Sequence, residues 1–183
     1  MTPDHQQPLA IPILGNEYRA VAGWSITHAE SSVLVATFLF SLGLRDDREL
    51  HVRSLVRLLH DAVWRGVDVR VLLSAPEAES QRRSAAIAEE FLRNRGVATR
   101  VLRDPAQHLK FMIVDEHTAI IGSHNWTPSA LGRNFEASIL VKDGTVARDG
   151  ARLFHELWNR AEVRDAGSSH TTPLGDALTG EGR

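Results

Sequence analysis

The stretch from His108 to Asn125 constrains this chain more than any other. Two short β-favouring apolar runs, Phe111 to Val114 and Thr118 to Ile121, flank the turn-like Asp115-Glu116-His117, and that pattern predicts a β-hairpin. His108-x-Lys110 opens its first strand and Gly122-Ser123-x-Asn125 closes its second. Side chains alternate faces along a strand, so His108 and Lys110 point to one side. The return strand runs antiparallel and brings Ser123 and Asn125 next to them. An imidazole, an ammonium, a hydroxyl and an amide then converge on one spot, a set that suits an anion and above all a phosphate. With six positions fixed, a chance match in a chain of this length is roughly a one-in-a-million event at average residue frequencies.

The spacing of His108, Lys110, Asp115, Gly122, Ser123 and Asn125 resembles the signature of the phospholipase D superfamily. Asn134-Phe135-Glu136 is similar to that family's Asn-x-Glu element, the run Ala62 to Leu73 is similar to its first half, and the resemblance spans residues 17 to 163. It implies a phosphodiester hydrolase in which His108 is the nucleophile, forming a phosphohistidine that water then hydrolyses. Lys110 would hold a non-bridging oxygen and offset its charge. Ser123 and Asn125 would bond the phosphate and neighbouring side chains, and both residue types also serve simply as turn formers. Glu136 would accept a hydrogen bond from the catalytic imidazole and fix its tautomer. Asp115 matches the family Asp, yet seven residues along an extended strand put it more than about 20 Å from His108. We therefore read it as an architectural turn or ion-pair residue. Gly122 reads as a position of close backbone approach or unusual backbone angle.

The family's larger members carry two signatures, one His attacking and the other protonating the leaving group; this chain has one. An isologous homodimer supplies the second imidazole from a copy of the same residue. The small single-signature bacterial endonucleases of the superfamily are built in that way, and the resemblance therefore implies a homodimer with one shared site. No metal site and no cofactor are expected. His117 and His124 flank the signature, but no His-x-x-x-His with carboxylates accompanies them.

Composition narrows the rest. The chain has 183 residues, enough for one domain with a proper core. A formal charge of −2 gives no general argument for nucleic-acid binding, although a local basic patch stays possible. The absence of cysteine excludes disulfides and thiolate metal sites. Of 21 basic residues only Lys110 and Lys142 are lysine, which makes a Lys within the signature more telling, since ammonium and guanidinium are not interchangeable around a phosphate. No signal-peptide pattern opens the sequence, and its most apolar run, Val33 to Leu44, is too short to span a bilayer. The expectation is a cytoplasmic protein without a transmembrane segment.

Along the chain, residues 1–16 read as a flexible N-terminal arm, 17–163 as the catalytic domain and 164–183 as a disordered tail. Helices are expected over Glu17 to Ala29, Glu49 to Arg65, Glu77 to Arg95 and Gly150 to Glu162. Strands are expected over Ser32 to Phe40, Val67 to Leu73, Val97 to Leu102, the hairpin, and Asn134 to Val141. Early alternation followed by hairpins predicts an α/β fold, a mixed sheet with helices on both faces.

For substrate, Arg100, Arg103, Lys110 and Arg133 with Trp126 suit a basic rim carrying one aromatic, although Trp126 is equally suited to the core. Such a rim fits single-stranded or duplex nucleic acid. An endonuclease acting on DNA or RNA is the first expectation. A phospholipase on phosphatidyl lipids, or a non-catalytic nucleic-acid-binding module of a larger complex, is the alternative.

Overall fold

The structure, a computed structural model, describes residues 9–42, 49–104 and 106–161. Seven strands form one sheet: β1 (Leu9–Leu14), β2 (Ser32–Thr37), β3 (Asp68–Ser74), β4 (Ala98–Leu102), β5 (Lys110–Val114), β6 (Thr118–Gly122) and β7 (Ala137–Lys142). Four helices pack on it: α1 (Glu17–Thr27), α2 (Glu49–Trp64), α3 (Glu79–Arg93) and α4 (Gly144–Arg160). The strand order is β1-β7-β6-β5-β2-β3-β4. Strands β2, β3 and β4 run parallel, while β5, β6, β7 and β1 add antiparallel neighbours. The mixed α/β sheet expected from the sequence is the one observed.

Burial explains the layers. In β2, Val33 and Val35 enter the core beneath α1, α2 and α3, while Leu34 and Ala36 enter the core beneath α4. A strand apolar on both faces belongs in the middle of a covered sheet, which is where β2 lies. Helix α2 buries Val52, Leu55, Val56, Leu59 and Ala62, one stripe at helical spacing. Helices α2 and α3 stop alike: Gly66 and Gly96 have φ of +87° and +74°. Val67 N–H bonds Ala62 O at 3.1 Å and Val97 N–H bonds Leu92 O at 3.2 Å. Both are Schellman ends, where a left-handed residue lets the chain turn straight into the next strand.

Several boundaries differ from expectation: β2 ends at Thr37 rather than Phe40, and β7 begins at Ala137 rather than Asn134. The arm expected over residues 1–16 contains β1, an edge strand paired along its length with β7, with Ile13 buried. Its alternation is broken by Pro12 and most of its side chains stay exposed. An edge strand tolerates both, because only one side of its backbone must be paired. Helix α4 begins at Gly144 rather than Gly150, since Asp143 accepts from the N–H groups of Thr145 and Val146 at 2.8 and 2.9 Å and caps a first turn of weak helix formers. The tail expected over 164–183 lies outside the described residues, as do residues 1–8.

Candidate active site

The hairpin is as drawn from the sequence. Phe111 pairs with Ile121 and Val114 with Thr118. The turn carries positive φ at Asp115 (53°) and Glu116 (51°), and His117 N–H bonds Val114 O at 3.0 Å. This left-handed pair of central residues matches the twist of the flanking strands. At the opposite end of the hairpin, Lys110 is in register with Thr37 at the carboxyl end of β2, and Gly122 is in register with Ser138 of β7. The polar residues of the signature thus collect at the sheet edge where the parallel strands β2, β3 and β4 end, the usual position for a ligand in such sheets.

There the ammonium of Lys110 donates to His108 Nδ1 at 2.9 Å and to the His108 carbonyl at 2.8 Å. An ammonium has no lone pair, so Nδ1 is the acceptor and a neutral ring carries its proton on Nε2. The imidazole is exposed on one side and lies against Phe38 on the other, with ring centroids 4.3 Å apart. Partial burial pushes the Lys110 ammonium below its ordinary pKa, while the nearby Glu136 carboxylate pulls the other way.

Glu136 itself is gripped by two neighbours. Ser123 Oγ donates to one carboxylate oxygen, and Asn134 Nδ2 donates to the other at 2.9 Å. Ser123 Oγ also accepts the N–H of Ala137 at 3.1 Å. The bond from His108 to Glu136 that the resemblance implies is not made here. His108 Nδ1 faces Lys110, and Glu136 turns to Ser123 and Asn134 instead. Asn125 Oδ1 accepts the N–H of Leu39 at 2.9 Å, pinning the loop after β6 to the loop after β2. With the carbonyl oxygen so engaged, the amide N–H groups are what Asn125 has left for a phosphate.

Gly122 is a close-approach position, because a Cβ there would overlap the backbone and hydroxyl of Ser138. Asp115 lies at the far end of the hairpin, as its spacing required. Among the described residues it forms no ion pair. Its carboxylate accepts the N–H groups of Glu30, Ser31 and Ser32 at 2.8 to 3.0 Å and the Ser31 hydroxyl at 2.9 Å. Burial alone would raise its pKa, but these bonds together outweigh it and hold the carboxyl below the usual range. Asp115 thus stitches the hairpin turn to the loop between α1 and β2.

The expected basic rim is not gathered in one place. Trp126 is 1% exposed, with its indole N–H on the Tyr18 hydroxyl at 3.2 Å. It is a core residue and not part of a substrate surface, because the loop after β6 turns inward to bridge Phe40. Burial pushes the Tyr18 hydroxyl up to about 12, with the indole N–H opposing. Arg100 packs over Trp158 at 4.8 Å on the α4 side. Arg103 follows β4, three strand spacings and so about 14 Å from the strand of Lys110, where it borders a cavity with Arg82 and Glu89. Of the rim, Lys110 sits in the site itself, and Arg133 is exposed one residue before Asn134.

His124 entered the sequence reading only as a metal-ligand candidate, and Phe38 escaped it. His124 is 2% exposed, its Nε2 donating to Gly15 O at 2.8 Å and its Nδ1 accepting from Ser138 Oγ at 2.7 Å. Burial lowers its pKa, against the raising effects of the Gly15 bond and Glu136. One position after Ser123, it ties the residue after β1 to β7. Phe38 lacks any motif and is found only through the pairing of Thr37 with Lys110. Among the described residues no three of His, Asp and Glu gather as a set of metal ligands, and no helix is long and apolar enough to cross a membrane.

The profile of the family described as "Cardiolipin synthase, PLD-like domain" matches residues 25–158. Cardiolipin synthase B of Salmonella typhi is 28% identical over 121 residues, which are 66% of this chain and 27% of that protein. The mitochondrial cardiolipin hydrolase of Homo sapiens is 33% identical over 106 residues, 57% of this chain and 39% of that one. The chain therefore spans about a quarter of the length of the synthases it matches. Among solved structures, Nuc of Salmonella typhimurium, a phospholipase D family member, superposes with a TM-score of 0.71 at 24% identity, covering 85% of this chain and 97% of that one. NucT from Helicobacter pylori superposes with a TM-score of 0.66 at 15% identity, covering 85% and 98%.

Proposed function

This chain belongs to the phospholipase D superfamily, to the family of PLD-like domains just named, and on that premise we propose that it is a phosphodiesterase cleaving nucleic acid, without a metal, at a site shared by two copies of the chain. The observation that carries the reading is the His108–Lys110 pair facing solvent beside Ser123, Asn134 and Glu136.

The chemistry follows from those groups. An incoming phosphodiester brings negative charge to the Lys110 ammonium, which leaves the imidazole for a non-bridging oxygen. The freed imidazole attacks phosphorus, the P–O bond to the leaving alkoxide breaks, and an N–P bond takes its place. Lys110 and the Asn125 amide offset charge as it builds on the phosphoryl oxygens, already oriented before the reaction starts. Water then attacks phosphorus, releasing the phosphomonoester and returning the imidazole. The alkoxide needs a proton, and this chain offers one signature imidazole. His108 of the partner subunit supplies it and takes a proton back from the attacking water.

Apolar residues around the site support the dimer. Phe135, next to Glu136, is fully exposed, and Leu14, Ile121 and Ile139 are 59%, 41% and 40% exposed on the strands beside it. Ile121 and Ile139 are in register neighbours. An apolar border of this kind suits contact with a second copy. The cardiolipin synthase and hydrolase names of the relatives favour a second reading, a lipid phosphodiester as substrate.

The test is to incubate the purified chain with plasmid, single-stranded DNA, RNA and phosphatidylglycerol or cardiolipin vesicles in the presence of chelator. Nucleic-acid cleavage lost in His108→Ala, with a dimer in sedimentation, supports the proposal. Turnover of lipid alone overturns the substrate, and full activity in a strict monomer overturns the shared site.

A further inference from the structure

Beside His108 lies a cavity of about 370 Å³ that the roles above leave unused. It opens past the carboxyl ends of β2 and β3 and is lined by Phe38, Ser74, Pro76, Glu77 and Gln81 among others. Its volume falls within the range of ordinary small-ligand sites.

Phe38 is the wall it shares with the reacting groups. The ring lies 4.3 Å from the His108 imidazole and 5.2 Å from the Lys110 ammonium, centroid distances that make it a neighbour of both. Its backbone is held on each side, by Thr37 Oγ1 bonding Leu39 O at 3.0 Å and by Leu39 N–H bonding Asn125 Oδ1 at 2.9 Å. The ring is half-buried, so a face of an aromatic stays available in a fixed place. Across the cavity the wall is mixed: Ala75, Pro76 and Ala78 are apolar, Glu77 and Gln81 are exposed, and Ser74 is buried with its hydroxyl reaching the Gln107 carbonyl at 3.5 Å.

This lining rejects two occupants. An acyl chain would desolvate Glu77 and Gln81 without bonding them, which is costly. A second phosphate would meet the Glu77 carboxylate and no cation among the lining residues. A flat, uncharged group with a π face and a hydrogen-bonding rim fits. Its face stacks on Phe38, the Gln81 amide pairs donor and acceptor with its edge, and Glu77 accepts from an exocyclic amine. We propose that this cavity holds the nucleobase adjoining the scissile phosphate, so that the substrate is a single strand of nucleic acid. A base inside a duplex is stacked and paired and cannot enter. The inference rests on the nuclease reading above and sharpens it.

The experiment uses a short oligonucleotide with one cleavable phosphodiester, its other linkages being methylphosphonate, and an abasic residue placed in turn at each position. Wild-type chain should lose roughly 5- to 150-fold in kcat/KM when the base beside the cleaved bond is removed, the range that aromatic stacking confers, and little elsewhere. Phe38→Leu should show the same loss on the intact strand and no further loss on the abasic one, whereas Phe38→Trp should retain the discrimination. Duplex of the same sequence should be cleaved far more slowly. An equal drop for Phe38→Leu on both strands would reduce Phe38 to a prop for His108 and overturn the proposal. So would indifference of the wild type to every abasic position while cleavage persists, with the nuclease reading left standing. Cleavage of phosphatidylglycerol vesicles and of no oligonucleotide overturns both.

Discussion

The ammonium of Lys110 rests on Nδ1 of His108 at 2.9 Å, so the expected phosphate ligand caps the expected nucleophile in the free site. Its burial has a kinetic consequence. Because desolvation lowers the Lys110 pKa, the ammonium that receives the phosphate is lost at a pH below the ordinary lysine value of about 10.4. The alkaline limb of kcat/KM should fall below that value. Lys110→Arg, permanently charged, should move that limb upward while lowering the plateau, because a planar fork cannot replace a compact ammonium. Lys110→Met should cost about 10²- to 10³-fold, the usual loss for one preorganised donor. A pH–rate series on the three proteins checks this, and an unmoved limb in the Arg variant would count against Lys110.

Asp115 should govern stability rather than turnover. Its carboxylate serves four donors of the 30–32 segment, and hydrogen bonds to a charged group are worth about 1.5–3 kcal/mol each at most, with little additivity. Asp115→Ala should therefore lower unfolding stability by about 2–4 kcal/mol, with kcat per folded molecule unchanged. The folded carboxyl titrates below its unfolded value. Its contribution is then complete above about pH 3.9 and is lost as the pH falls through the folded pKa. Urea titrations from pH 6 down to pH 2.5 should show an acid loss in the wild type that Asp115→Asn lacks.

His124 should give a second, separate pH signature. It is buried as the neutral ring between Gly15 and Ser138, and its pKa is lowered by that burial. The unfolded chain then binds a proton that the folded one refuses, so the contribution is full above the unfolded value of about 6.5 and declines as the pH falls below it. His124→Gln should flatten the stability profile below about pH 6.5. A profile as steep as that of the wild type would mean that another group is responsible.

Glu116 holds a left-handed conformation, φ 51°, that a residue with a Cβ adopts at a cost of about 1–2 kcal/mol. Glu116→Gly should raise the stability by about 1 kcal/mol, read as a higher midpoint in thermal unfolding. A lower midpoint would show that the exposed side chain contributes more than the strain removes.

Gln107 precedes His108 and is 4% exposed, yet neither polar atom of its amide has a partner among the described residues. A buried amide left unbonded costs about 1–3 kcal/mol. Gln107→Leu should therefore be neutral or stabilising in urea unfolding, whereas a loss of 2 kcal/mol or more would reveal a partner for the amide.

Much of this molecule was legible before any coordinates. The hairpin followed from two apolar runs and a turn, the helix ends expected at Arg65 and Arg95 fall within two residues of those observed, and the reach of an extended strand kept Asp115 away from the phosphate. What failed had local reasons. Strand β1 was hidden because an edge strand need not alternate and Pro12 can sit in it without harm. The early start of α4 was hidden because one side-chain cap, Asp143, outweighed the poor propensity of the turn it opens.

By itself the sequence determined which groups could do chemistry. Residue type fixes what a side chain can donate, accept or attack, and alternation along a strand fixes which neighbours share a side, so His108, Lys110 and Ser123 could be named from spacing, and Glu136 from its resemblance to a family element. Only the tertiary structure decided who touches whom across the sheet. It gave the His108 nitrogen to Lys110 and the Glu136 carboxylate to Ser123 and Asn134. It took Trp126 into the core and brought Phe38, 70 positions upstream of His108, against the imidazole. Such contacts depend on strand order and register, which arise from the packing of the whole chain and have no local trace in the residues that make them.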